Sequence, residues 1–94
     1  MQLEMAGRKA AVVTGCASGI GAATCAVFAA RGVDLVGGEL DAEAGEQVMA
    51  AAREAGVDAT FHRGDVSVEA DVEAAVSLCA NTFGRLDMAV NNAG

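Results

Sequence analysis

Thr14-Gly15-Cys16-Ala17-Ser18-Gly19-Ile20-Gly21 is the stretch from which the rest of the chain is read. Before it, Lys9 to Thr14 (Lys-Ala-Ala-Val-Val-Thr) is a short apolar run stopped by glycine, the pattern of a strand buried on both faces. After it, the apolar positions Ile20, Ala23, Val27 and Phe28 recur at helical spacing between Gly19 and Arg31, and Gly32 follows as a stop. A strand therefore turns directly into a helix. The three glycines have separate uses in such a turn. Gly15 lets the chain turn tightly, Gly19 lets backbone N–H groups approach a phosphate without a Cβ in the way, and Gly21 lets the helix pack close to the strand. Glycines alone do not separate this reading from a glycine-rich turn between packed elements; the strand before and the helix after favour it.

The same alternation continues outward. Val33 to Glu39 reads as a second strand, weakened by Gly37 and Gly38, which also allow close approach to the backbone. Asp41 can cap a helix whose buried face carries Ala44, Val48, Met49 and Ala52 and which ends near Gly56. Val57 to Val66 gives a third strand. Ser67 is placed as the N-cap of a third helix, with Glu69 and Asp71 in its first turn and Val68, Val72, Ala75, Val76, Cys79 and Phe83 in one apolar stripe. After Gly84, Leu86 to Val90 is a fourth strand, followed by Asn91-Asn92-Ala93-Gly94. Alternating strands and helices with short connections predict a parallel sheet, because right-handed crossovers return the chain in one direction. The expected fold class is α/β: a Rossmann-type doubly wound sheet of four strands in the order 3-2-1-4 with three helices, truncated after strand 4. Strands 1 and 4 then flank the switch point where such sheets bind ligands.

The glycine spacing is G-x-x-x-G-x-G, not G-x-G-x-x-G, and Thr-Gly-x-x-x-Gly-x-Gly resembles the cofactor motif of the short-chain dehydrogenase/reductase family. Glu39 at the end of strand 2, Gly64-Asp65-Val66 at the end of strand 3 and Asn91-Asn92-Ala93-Gly94 after strand 4 match further motifs of that family in order. The resemblance runs from about Arg8 to Gly94, leaving residues 1–7 as an N-terminal extension and 8–94 as a partial dinucleotide-binding domain. It implies an NAD(P)-dependent oxidoreductase acting on alcohol or carbonyl groups. It also implies that Thr14, Gly15, Ser18, Gly19, Ile20 and Gly21 form the phosphate turn, with Glu39 and Leu40 at the adenosine ribose. Asp65 and Val66 would lie at the adenine, and Asn91, Ala93 and Gly94 on the floor of the site. A carboxylate at Glu39 suits a ribose diol and repels a 2′-phosphate, which favours NAD over NADP. The family more often has Asp there, so the charge is kept and the reach is longer. Members selecting NADP tend to carry a basic group around Ser18 or Leu40, and neither residue is basic. Two alternatives stay open: Glu39 as a solvated loop acid, and Asp65 as a cap for the helix near Ser67.

The family's proton-transferring Tyr, with a Lys four positions on and a Ser nearby, would fall after Gly94. The 94 residues include no Tyr, and the one Lys, Lys9, starts strand 1 at the far end from the turn. The substrate site is accordingly expected outside this chain, and the chain alone is expected to be inactive. A non-catalytic nucleotide-binding or interaction module is the second reading, and a methyltransferase-like fragment the third; the glycine spacing and Asn-Asn-Ala-Gly argue against the latter.

Composition sets the remaining bounds. Six Lys and Arg against thirteen Asp and Glu give a net charge of −7 with no basic block, which argues against nucleic acid or an anionic membrane as partner. Cys16, Cys25 and Cys79 form no Cys-x-x-Cys pair and read as reduced thiols, and no apolar stretch reaches membrane-spanning length, so a cytoplasmic protein is expected. His62, the single histidine, is read as an exposed strand residue, and Glu69, Asp71 and Glu73 as a solvated helix face. Strand 4 would carry an open edge through which the chain could self-associate.

Overall fold

The computed structural model describes residues 8–92; the proposed extension 1–7 and the site residues Ala93 and Gly94 lie outside them. Four strands, β1 (Ala10–Thr14), β2 (Asp34–Glu39), β3 (Ala59–Arg63) and β4 (Met88–Asn91), alternate with three helices, α1 (Gly19–Ala30), α2 (Ala42–Glu54) and α3 (Glu69–Phe83). All pairings are parallel and the order is β3-β2-β1-β4. Thr14 aligns with Gly38 on one side and Asn91 on the other, and Glu39 aligns with Arg63, so these residues share one end of the sheet.

The strand pleat sends alternate side chains to two cores. Ala11, Val13 and Leu35 meet Cys25 and Ala29 of α1 and Met49 and Ala52 of α2 on one face. Ala10, Val12 and Val36 meet Ala75 and Cys79 of α3 on the other. β1 is buried throughout because it is covered on both faces and paired on both edges. Its neighbour Leu35, with no exposed surface, is worth about 1.5–3 kcal/mol relative to an exposed position. Because α1 and α2 cover one face and α3 the other, the sheet is doubly wound, and β1 and β4 bound the switch point.

Helix α1 corrects the sequence reading. Its buried residues are Gly21, Cys25 and Ala29, with Phe28 partly buried, while Ile20 is 73% and Val27 51% exposed. The cause is close approach: a Cβ on Gly21 would fall on the Gly15 carbonyl oxygen. The helix seats its smallest residues inward, and the larger apolar side chains are left outside. α3 supplies a second correction. Ser67 is not its N-cap; that position is Val68, which makes no side-chain cap bond, and the helix starts at Glu69. β3 is also shorter than the run Val57 to Val66, spanning Ala59–Arg63, with the Gly64 N–H still donating to the Glu39 carbonyl at 3.2 Å.

Thr14 and Asp34 are the buried polar side chains among the described residues. Asp34 opens β2, where its Oδ1 accepts the Asp58 N–H at 3.0 Å and lies 3.0 Å from Arg8 Nη2. This satisfies a carboxylate that would be costly alone. At the same end, Asp87 Oδ2 accepts the Ala10 N–H at 2.9 Å and the Arg85 Nε–H at 2.7 Å, holding β4 against β1. The amino end of the sheet is thus closed by ion pairs. No described helix is long and apolar enough to cross a membrane.

Candidate functional site

At the carboxyl end, the turn after β1 is set by its glycines and by Ser18. Gly15 has a φ of +68°, a conformation that costs an L side chain steric energy, and a Cβ there would also stand 3.0 Å from the Asn92 carbonyl. Ser18 caps α1: its Oγ accepts the Gly21 N–H at 2.9 Å and donates to the Gly15 carbonyl at 2.9 Å. The Ala22 N–H donates to the Ser18 carbonyl at 2.7 Å. Gly19 faces open space, with no heavy atom within 4 Å of a Cβ built on it. The helix end therefore presents its partial positive charge and first N–H groups outward.

Glu39 reaches across to this turn. Its Oε1 accepts the Ala17 N–H at 3.1 Å and its Oε2 the Asp41 N–H at 3.3 Å. The extra methylene of Glu makes this bridge, so the carboxylate is fixed beside the glycine turn and is not a freely solvated loop acid. Each oxygen keeps a lone pair for a hydroxyl donor. Leu40, which follows, is 54% exposed, and its carbonyl accepts the Arg63 Nε–H at 3.3 Å.

Beside the bridge, Thr14, Gly38, His62, Gly64, Asp65, Val66, Asp71, Val72 and Ala75 line a shallow, open cleft on the α3 side of the sheet, with a cavity volume of only about 10 Å³. Asp65 Oδ1 accepts the Ser67 N–H at 2.9 Å and the Ser67 hydroxyl at 2.7 Å, and these bonds hold its carboxyl below the usual carboxylate range. It belongs to the turn that leads into α3 but does not cap the helix, whose N-cap is Val68 without a side-chain bond. Its Oδ2 has no hydrogen bond among the described residues and remains an acceptor. Thr14 donates to Asn91 Oδ1 at 2.9 Å and Asn92 N–H to the Thr14 carbonyl at 3.2 Å, which ties the end of β4 to the end of β1. The Asn92 Nδ2 is buried without a hydrogen-bond partner among the described residues.

The structure thus gathers Thr14, Gly15, Ser18, Gly19, Ile20, Gly21, Glu39, Leu40, Asp65, Val66 and Asn91 at one end of the sheet. Two residues read otherwise from sequence join them. His62 is half-buried and lines the cleft instead of lying exposed. Asp71 is no solvated face residue: its Oδ2 accepts the Asp65 N–H at 2.8 Å and fixes the loop that carries Asp65. The one available hint was that Asp71 sits in the first turn of α3, pointing back toward the preceding loop. Among the described residues, no cluster of three metal-ligating side chains exists.

The cysteines are structural. Cys16, Cys25 and Cys79 are buried free thiols. Burial first, then the charge of Glu39, pushes the Cys16 thiol up to about 11; burial and Cys16 push Cys25 up to about 12. Cys16 packs below the turn against Gly37 and Met49.

Comparison with known proteins agrees with this geometry. The family model described as short chain dehydrogenase matches residues 9–94. The chain is 46% identical over 91 residues to cis-4-hydroxycyclohexanecarboxylate dehydrogenase of Sinomonas cyclohexanicum, covering 97% of this chain and 36% of that protein. A short chain dehydrogenase/reductase of Burkholderia phymatum, solved in complex with NAD, superposes with a TM-score of 0.82 at 33% identity over 87% of this chain and 29% of its own. A variant actinorhodin polyketide ketoreductase, solved with NADPH, superposes with a TM-score of 0.83 at 32% identity, over 93% of this chain and 33% of its own. The chain spans about a third of the length of the relatives it matches.

Proposed function

The chain belongs to the short-chain dehydrogenase family, and from that premise we propose that the carboxyl end of its sheet binds NAD as the cofactor-binding part of an oxidoreductase acting on alcohol or carbonyl groups. The observation that carries the reading is the Glu39 carboxylate, bridged to the Ala17 N–H of the glycine turn. It sets an acceptor for a ribose diol beside a helix N-terminus suited to a pyrophosphate.

The residues present fit the dinucleotide. The open space at Gly19 leaves the approach to α1 free, and the capping bond from Ser18 engages Gly21, while Gly19 and Ile20, as first-turn residues, have no intrahelical acceptor for their N–H groups. The free Oδ2 of Asp65 suits the exocyclic amine of adenine, with Val66 as its apolar neighbour in the cleft. Asn92 Nδ2, buried and without a partner among the described residues, offers a donor just after Asn91 at the end of β4. NAD bound there would supply hydride-transfer chemistry; the chain's own residues bind and orient it. No Tyr exists in the sequence to handle the substrate's proton, so the chain by itself turns over no alcohol. The edge of β4 away from β1 has no strand paired to it among the described residues and is open to another strand or a second copy. Three reduced, buried thiols agree with a cytoplasmic setting.

Calorimetric titration with NAD, NADP and S-adenosylmethionine tests this. NAD should bind tightest and S-adenosylmethionine not at all. Preference for NADP would overturn the role given to Glu39, and failure to bind either dinucleotide would overturn the function.

A further inference from the structure

We infer that Arg63 is a second determinant of the ribose this site accepts: a cation placed to bind a 2′-phosphate, which Glu39 keeps out. This rests on the nucleotide reading above. Glu39 and Arg63 align in the parallel β2–β3 pair. Residues so aligned project to the same face. That face is the one covered by α2, since a Cβ on Gly45 would stand 3.0 Å from Glu39 Cβ and would run into the ring of Phe61, two residues before Arg63.

A single peptide group holds the two charges apart. The Asp41 N–H donates to Glu39 Oε2, while the Leu40 carbonyl of the same peptide accepts from Arg63 Nε, each at 3.3 Å. N–H and C=O of a trans peptide point in opposite directions. The guanidinium is therefore anchored one peptide away from the carboxylate, and the described residues show no ion pair between them. Its Nη groups make no hydrogen bond among the described residues, and the side chain is exposed.

No other Lys or Arg lies at this end. Of the six in the chain, Arg8 and Lys9 precede β1 and Arg31 follows α1. Arg53 pairs with Glu46, and Arg85 with Asp87. The one unpaired cation at the carboxyl end is thus next to the one acid that faces the glycine turn. A phosphomonoester there carries about −1.5 to −2 charges at neutral pH and matches the guanidinium fork. The same charge is repelled by Glu39. The ribose is read by two opposed charges, and Arg63 lessens the penalty that Glu39 imposes on NADP.

The test uses the chain with 5′-AMP and adenosine 2′,5′-bisphosphate, which carry the adenosine half alone, titrated by calorimetry at low ionic strength. The readout is the ratio of the two dissociation constants. The unsubstituted chain should favour 5′-AMP. Glu39→Gln should move the ratio toward the bisphosphate by about tenfold or more, and Arg63→Gln added to it should take back about tenfold, as expected for a lost charge-assisted contact. Thermal melts of each variant report folding, and both positions lie at the rim of the sheet. If the double variant keeps the whole shift, or Glu39→Gln produces none while 5′-AMP still binds, the role of Arg63 is overturned and the nucleotide reading stands. If the unsubstituted chain binds neither nucleotide, both fall.

Discussion

Gly21→Ala and Gly19→Ala, two positions apart on α1, should move stability in opposite directions while each weakens nucleotide binding. At Gly21 the new methyl would fall on the Gly15 carbonyl oxygen and stand 2.9 Å from both the Gly15 carbonyl carbon and Ser18 Oγ. That oxygen already accepts the Ser18 N–H at 3.1 Å and the Ser18 hydroxyl at 2.9 Å, so moving it dismantles the turn. Overpacking of this kind costs about 1–3 kcal/mol and the lost cap about 1 kcal/mol, against which the helix preference of Ala over Gly returns at most about 1 kcal/mol. The net loss is about 1–3 kcal/mol, or roughly 4–8 °C in Tm for each kcal/mol in a domain this small. At Gly19 the methyl meets nothing within 4 Å. That substitution should gain about 0.4–1 kcal/mol by restricting the unfolded chain, yet place a Cβ where the phosphates would approach. Urea titrations followed by far-UV circular dichroism, with NAD calorimetry in parallel, measure both quantities. A Gly21→Ala variant as stable as its parent would refute the close-approach argument. A Gly19→Ala variant with unchanged affinity would refute the phosphate role of that turn.

Two other perturbations probe the scaffold. The carboxyl of Asp87 is held down to about 2, mainly by its bonds from Arg85 and then from the Ala10 N–H. Because the folded value lies below the ordinary one of 3.8, its contribution is present above that ordinary value and is lost as the pH falls toward 2. Asp87→Asn should therefore lower the urea midpoint at neutral pH, with the gap from the parent closing between about pH 4 and pH 2; a gap that does not vary with pH would contradict the pairing. The three cysteines, buried and with Cys16 and Cys25 raised to about 11 and about 12, should resist a thiol-specific disulfide reagent at mildly alkaline pH. All three should react in denaturant, and a fast-reacting thiol in the native chain would contradict the packing under the glycine turn.

The strand order and the glycine turn were legible because they rest on local chemistry. Asp41 caps α2 through its Oδ1 and the Ala44 N–H at 3.1 Å, and Gly84 ends α3 with a φ of +77°; both are patterns of a residue and its near neighbours. The inward face of α1 was not legible. In a helix of Gly, Ala and Cys with a few larger apolar residues, periodicity favours the bulky side chains, whereas contact with a backbone carbonyl selects the small ones. The start of α3 was ambiguous because Asp65 and Ser67 are both capping residues, and they bond to each other instead of to the helix. The partners of the site were the least legible. The Ala17–Glu39 bridge spans 22 residues and the Asp65–Asp71 bond joins a loop to a helix, and no spacing rule reports such contacts.

Backbone amide NMR during a titration with NAD tests the central claim most directly, since it reports where the ligand sits as well as whether it binds. The amides of residues 15–21, 39–41 and 64–66 should shift with a common saturation. Those of Lys9, Val33, Asp58 and Asp87, at the amino end of the sheet, should stay in place. Shifts confined to that opposite end, or none at all at saturating NAD, would contradict the assignment of a dinucleotide site to the glycine turn and Glu39.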